Sequence, residues 1–265
     1  MLLVGSMEDG TVWMYHIPSA KCMQVFVGHE SGVTAGGFTP DGKLALSTSA
    51  DGTLRVWAPR TGICKHVFRL GDSGAGLNCL ATGGGPDRQL VIIGAEDGKA
   101  YVCHPASKKV VATLQHRELP ANSQNEDEEL EVAMSVEAVG FSPSNPHWCA
   151  TGGADGEIKI WDLANNAQCR QVCKSPESRA SEGRTAGGIT RFRWHPSTPT
   201  IIAGTADGSV QVWDARNGNL VGLLSGHDDV INDLDLSYNE DCTAVLAVTG
   251  GDDKAIRVFD VNSIN

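Results

Sequence analysis

Imidazole, hydroxyl and carboxylate recur together in this chain, and from such groups proton relays and nucleophile–base pairs are built. His29 stands 22 residues before Asp51, with Ser49 two residues upstream of that carboxylate and Trp57 six residues downstream. His227 and Asp253 repeat the first two members, with Gly251 where the hydroxyl would be and Phe259 where the indole would be. Catalysis and a buried structural relay use the same groups, and the tryptophan separates them. An indole N–H only donates, so a relay that ends on it satisfies every member and leaves no group to attack a substrate. The sequence has no Walker loop, HExxH, CxxC or nucleophile elbow. The run Gly83–Gly85 follows a strand and opens no helix. These residues predict no enzyme, no catalytic residue, no metal and no cofactor.

A second set of side chains could hold cations. Glu126, Asp127, Glu128, Glu129 and Glu131 crowd into NEDEELE, and Glu8, Glu30, Asp72, Glu96, Glu137, Asp228, Asp229, Asp233 and Asp252 fall at predicted loops or strand starts. The formal net charge of −11 argues against affinity for a nucleic-acid backbone and is compatible with a basic protein or peptide. Two readings of the acidic run stand side by side: a solvated insertion that adds solubility, or an electrostatic lip that steers a cationic partner. Arg191, Arg193, Arg55, Lys159 and Arg257 are read as strand-surface residues rather than a nucleic-acid groove. The eight cysteines are scattered, and most sit in or beside strands, where a thiol packs as a small hydrophobe. Cys169 and Cys173 alone are weak evidence for a metal, and a reducing, cytoplasmic setting is expected. No apolar run reaches the roughly 18 residues of a membrane span, and MLLVGSMEDG lacks the features of a signal peptide.

What must position these residues is a repeat. Asp-Gly, four intervening residues and then tryptophan reads DGTLRVW from Asp51, DGEIKIW from Asp155 and DGSVQVW from Asp207; looser copies start at Asp9, Asp97 and Asp253. The leading aspartates are 42, 46, 58, 52 and 46 residues apart, the period of four-stranded WD-type propeller blades. The predicted fold is all-β, a WD40 β-propeller over 1–265 with six repeats at about 1–28, 29–71, 72–116, 136–174, 189–226 and 227–265. The acidic d–a loop is 117–135 and a polar d–a loop is 175–188. In the second repeat, strands a to d are expected at Val33–Phe38, Leu44–Ser49, Leu54–Trp57 and Lys65–Leu70. The first repeat lacks strand a and the last lacks strand d, so the sequence predicts an arc of a larger ring rather than a closed six-bladed one.

The stretches VFVGHESGVTAGGFTPDGK, SADGTLRVWAPRTG, SVEAVGFS, ADGSVQVWDARNGNLVGLLSGH and TGGDDKAIRVFDV resemble one WD-repeat family along nearly the whole chain. That family comprises the angio-associated migratory cell protein and the fungal ribosomal-protein assembly chaperone named as a suppressor of QSR truncations. The resemblance implies an eight-bladed parent. It also implies a dedicated, monomeric chaperone that holds the basic N-terminal segment of a newly made large-subunit ribosomal protein and supports 60S assembly. Glu30, Glu96, Glu137, Asp228, Asp229 and Asp233, then Glu8 and Asp252, would accept its Lys and Arg groups, with Glu126–Glu131 as a steering loop. Two other classes stand beside this one: a generic scaffold or adaptor in a complex or signalling pathway, and a structural subunit of a stable assembly.

Overall fold

The computed structural model describes residues 1–71, 74–83, 89–117, 135–174 and 187–261. The chain divides into two compact units, Met1–Glu118 and Leu119–Asn265. In the first unit, β1 (Leu2–Gly5), β2 (Val12–His16) and β3 (Lys21–Phe26) form a three-stranded sheet. The next two sheets have four strands each. One holds β4 (Val33–Phe38), β5 (Ala45–Ser49), β6 (Thr53–Trp57) and β7 (Cys64–Arg69); the other holds β8 (Leu77–Gly83), β9 (Leu90–Ala95), β10 (Lys99–His104) and β11 (Lys109–Gln115).

The second unit repeats the plan. Its first sheet holds β12 (Val136–Phe141), β13 (Trp148–Gly153), β14 (Ile158–Asp162) and β15 (Gln168–Cys173). Its second holds β16 (Ile189–Trp194), β17 (Thr200–Thr205), β18 (Ser209–Asp214) and β19 (Asn219–Ser225). A three-stranded sheet of β20 (Ile231–Tyr238), β21 (Val245–Gly251) and β22 (Ile256–Asp260) follows. Each sheet is an antiparallel meander of neighbours in sequence, the blade of a WD40-type propeller.

The hydrophobic cores lie between successive blades. Trp57 packs with Phe26, Val12, Met14 and Val33 between the first and second, and Leu54, Val56, Phe68, Leu77 and Ile93 fill the space between the second and third. In the second unit, Trp213, Ile158, Ile160, Phe192 and Trp194 join one pair of blades, and Val212, Ile231, Leu234 and Val245 the next. In a blade flanked on both sides, strands b and c are covered on both faces, which is why TIIAGT and SVQVWD read as unbroken buried runs, whereas β1 and β22 are largely exposed or alternating. Cys103, Cys149 and Cys173 are buried in this packing. Burial pushes the Cys103 and Cys173 thiols up to about 12, so they stay protonated.

The Asp-Gly turn explains the repeat's first two letters. In all six blades the aspartate Oδ1 accepts the N–H of the residue two positions on, Thr11, Thr53, Lys99, Glu157, Ser209 and Ala255, at 2.9–3.0 Å. The next residue takes a positive φ, glycine in five blades and Lys254 (φ 64°) in the sixth. Glycine is also needed for space. A Cβ at Gly10 would lie 2.7 Å from the His29 carbonyl oxygen, and one at Gly208 would lie 2.6 Å from that of His227. The b–c turn thus tucks beneath the loop leading to the following blade. Among the described residues no such loop covers Lys254, and there a side chain is accommodated.

Strand a carries a further device. In each of β4, β8, β12, β16 and β20 the pairing with strand b slips after the first residue, leaving Thr34, Asn78, Glu137, Thr190 and Asn232 at a bulge. The Thr34 hydroxyl donates to the Leu77 carbonyl of the next blade, and that of Thr190 to the Ile231 carbonyl. Gly208→Ala is expected to lower unfolding free energy by on the order of 3 kcal/mol, because left-handed strain and a backbone clash act together. Lys254→Gly is expected to raise it by up to about 1 kcal/mol. Urea unfolding of the two variants measures both signs.

Candidate functional site

An antiparallel meander gives each blade two ends: one bears the b–c turn and the loop into the next blade, the other the a–b and c–d turns. The histidine relay lies at the first end. In the second blade, the Trp57 indole N–H donates to Ser47 Oγ at 2.8 Å, and Ser47 Oγ lies 2.7 Å from His29 Nε2. His29 Nδ1 lies 2.9 Å from Asp51 Oδ2, which also accepts the Glu30 N–H at 3.0 Å. The indole can only donate, so Ser47 accepts from it and donates its O–H to Nε2, and the neutral imidazole donates from Nδ1 to Asp51. Every member is satisfied. Burial pushes His29 below its ordinary value against the pull of Asp51. Burial acts to raise Asp51, but hydrogen bonds from Thr53, the Glu30 N–H and His29 outweigh it and hold the carboxyl at about 2.

The hydroxyl of this relay is Ser47, not the Ser49 expected from spacing. Both face the same side of β5, but Ser47 pairs with Arg55 in register, within reach of the indole, while Ser49 ends the strand. Ser49 donates to the Ser31 carbonyl and accepts the Asp51 N–H instead. The same two-residue offset corrects the last blade. There His227 Nδ1 meets Asp253 at 2.9 Å and Nε2 meets Thr249 Oγ1 at 2.8 Å, so the hydroxyl comes from Thr249 and Gly251 fills no gap in the relay. Arg257 adds an ion pair to Asp253 at 3.2 Å, and that carboxyl is held well below the usual range, chiefly by His227. Elsewhere Trp161 donates to Thr151 and Trp213 to Gln211.

The candidate cation-holding residues gather at this end within each unit. In the first unit, Glu8 lies in the b–c turn of the first blade, which packs beneath the loop carrying Glu30, and both are exposed. Glu96 is exposed in the third blade's b–c turn, and its Oε2 accepts the Gly76 N–H at 2.9 Å. In the second unit, Asp228 and Asp229 are exposed on the loop into β20, and neither has an ion-pair partner among the described residues. Asp252 is exposed in the adjacent b–c turn beside Lys254 and accepts the Asn232 amide.

Glu137 occupies the β12 bulge, half-buried, and its carbonyl accepts Arg191 Nη1 at 3.0 Å. Asp233 and Asp235 on β20 face Arg191 and Arg193 on β16, at 3.7 and 3.1 Å. Sequence reasoning singled out both arginines and Asp233 but not the ladder they make with Asp235; alternation along two neighbouring a strands was the available signal. The steering residues Glu126, Asp127, Glu128, Glu129 and Glu131, and Asp72, lie outside the described residues. Among the described residues no group of three His, Cys, Asp or Glu side chains could hold a metal, and no helix is long and apolar enough to cross a membrane.

A family model for the WD domain, G-beta repeat matches residues 20–58, and one for the Nucleolar protein 10-like N-terminal domain matches residues 134–264. The angio-associated migratory cell protein of Homo sapiens is 33% identical over 261 residues, covering 98% of this chain and 55% of the relative. The chain belongs to the WD-repeat family. It spans about half the length of the curated relatives it matches first. A more distant WD-repeat relative, the ribosome biogenesis protein WDR12 homolog of Chlamydomonas reinhardtii, is 24% identical over 296 residues, with 99% of this chain and 62% of the relative covered. The solved structure of Saccharomyces cerevisiae Sqt1 shares the fold at TM-score 0.77 and 19% identity, covering 98% of this chain and 68% of that one.

In this WD-repeat chain, Ser47→Ala leaves the Trp57 donor and His29 Nε2 without their buried partner. It is expected to cost about 1–3 kcal/mol in urea unfolding, with the fold retained. The relay also carries a pH signature. Folded His29 binds its proton less readily than the unfolded chain, whose imidazoles titrate near pH 6.5. The unfolded state therefore gains more protons as pH falls below about 6.5, and stability declines with it. The Asp51 contribution persists to lower pH and fades between about 3.8 and 2. Urea midpoints are expected to drop from pH 7.5 to 5.5, and to drop less in His29→Gln.

Proposed function

We propose that this WD-repeat chain is a non-enzymatic chaperone that holds the basic N-terminal segment of a newly made large-subunit ribosomal protein and supports 60S assembly. It acts in the cytoplasm as a monomer. The observation that carries the reading is the cluster of exposed carboxylates around the start of β20. Asp228 and Asp229 lack ion-pair partners among the described residues, Asp252 lies in the neighbouring turn, and Asp233 and Asp235 are 73% and 79% exposed. Such an arrangement receives Lys and Arg groups one by one along an extended segment. The first unit supports it with Glu8, Glu30 and Glu96 at the equivalent blade end. The resemblance to the fungal assembly chaperone and the relative named for ribosome biogenesis point the same way.

Isothermal titration with the lysine- and arginine-rich N-terminal peptide of the late-joining large-subunit ribosomal protein tests this reading. One-to-one binding is expected, weakening between 50 and 300 mM salt as exposed pairs are screened. The triple variant Asp228→Asn, Asp229→Asn and Asp252→Asn keeps side-chain size and one carbonyl oxygen at each position and removes three charges. It is expected to weaken binding about tenfold and to flatten the salt dependence. Arg193→Ala, which releases Asp235, is expected to tighten binding by about two- to threefold. Absence of binding at low salt would remove this client and leave a generic scaffold as the working function.

A further inference from the structure

The first unit is electrically two-ended. Its b–c and d–a end carries Glu8, Asp9, Glu30, Asp51, Glu96 and Asp97 against Arg69, Lys99 and Arg117, whereas Lys21, Lys43, Arg60, Lys65, Lys108 and Lys109 lie at or beside the turns of the other end. Among the described residues of that second end Asp41 is the sole carboxylate, in a chain whose net charge is −11. A cavity of about 970 Å³ opens there between the first and second blades, within the size range of ligand sites. Met14, Met23 and Phe38 line it with apolar surface, and Arg60 and Lys65 stand at its rim.

The rim cations differ in what they already hold. Lys43 pairs with Asp41 at 3.2 Å, and Asp41 is further engaged by the Thr39 hydroxyl at 2.7 Å and the Lys43 N–H at 3.1 Å. Arg60 and Lys65 are exposed and have no ion-pair partner among the described residues. Methionine adapts its shape to varied apolar side chains, and two uncompensated cations beside it select carboxylates. Lys21, at the first blade's c–d turn, and Lys108 and Lys109, at the third's, are exposed at the same end, which suits a chain-like occupant over a compact one.

We propose that this groove is a second binding site, for an acidic peptide segment of a partner protein that seats one apolar side chain on Met14, Met23 and Phe38 while its carboxylates meet Arg60 and Lys65. It is independent of the basic-client reading, since it lies at the opposite blade end and takes the opposite charge. A nucleic acid would bring the negative charge but no aliphatic anchor, and Phe38 is the one aromatic ring in the lining.

The test is a fluorescence-anisotropy screen of the full 265-residue chain against a library of 12-residue peptides, each carrying three Asp or Glu and one Leu, Ile, Met or Phe. Saturable binding is expected, reduced about tenfold by Arg60→Glu with Lys65→Glu, and about as much by Met23→Asp or by alanine at the peptide's apolar position. All three protein substitutions are at exposed positions, so circular dichroism is expected to be unchanged. No saturable binding by any library member would overturn the site. So would binding indifferent to Met23→Asp and to the peptide's apolar residue, which would mark simple charge attraction. Stronger binding of a twelve-nucleotide single-stranded RNA, lost in the same charge-reversed variant, would overturn the peptide assignment.

Discussion

Each Asp-Gly turn of a covered blade must pass beneath the loop that leads to the following blade, and the rest of the arrangement follows from that fit. The aspartate closes the turn through the N–H two residues on, so the next residue is forced into the left-handed region. The carbonyls of the overlying loop then leave no room for a Cβ. The histidine on the loop covering one blade's turn reaches the turn aspartate of the next blade, His29 over Gly10 meeting Asp51 and His227 over Gly208 meeting Asp253. The relay can then run inward to a hydroxyl on strand b and an indole on strand c. Fully satisfied, it lets a polar string cross a region otherwise filled by Trp57, Phe26 and Val33 without an orphaned donor.

This clamp also decides where charge can be displayed. At the clamped end, Glu8, Glu96 and Asp252, beside turn aspartates, and Glu30 and Asp228, beside relay histidines, are exposed, and such neighbours are free to be acidic. At the opposite end the a–b and c–d turns carry no relay. In the first unit that end has become basic and surrounds an apolar groove. One scaffold therefore offers surfaces of opposite sign, separated by the length of a strand. The β16 and β20 arginine–aspartate ladder lies on strands a, where opposite charges face each other across neighbouring blades.

Much of the fold was legible because the repeat speaks through chemistry that does not change from copy to copy. Asp-Gly marks the turn, a tryptophan six residues after the aspartate marks strand c, and strand a of the second blade lies at Val33–Phe38, between Gly28-His29 and the Pro40-Asp41-Gly42 turn, as the repeat predicts. Position along a strand was less legible than strand identity. Ser47 and Ser49 share a face, as do Thr249 and Gly251, and only the pairing register reveals which one meets the imidazole. The a-strand bulge was also hidden, since Thr, Asn and Glu at one position look like ordinary polar loop residues until the slip in pairing is seen. It gives Glu137 a half-buried setting, while backbone contacts draw Glu96 into a cap on Gly76. Those are tertiary facts, and no composition rule contains them.

The threonine bonds at the bulges carry a consequence for how such a chain changes over time. Thr34 reaches Leu77 and Thr190 reaches Ile231, separations of 43 and 41 residues, about one repeat in each case. Within each unit a blade is thus fastened to its immediate successor by the same kind of joint. Energetics of this nearest-neighbour kind make the whole repeat the natural unit of gain or loss. Duplicating or excising one blade preserves the form of every remaining joint, whereas a shift of a few residues would break the turn, the relay and the bulge at once. Blade number in such a lineage is therefore easier to alter than blade length.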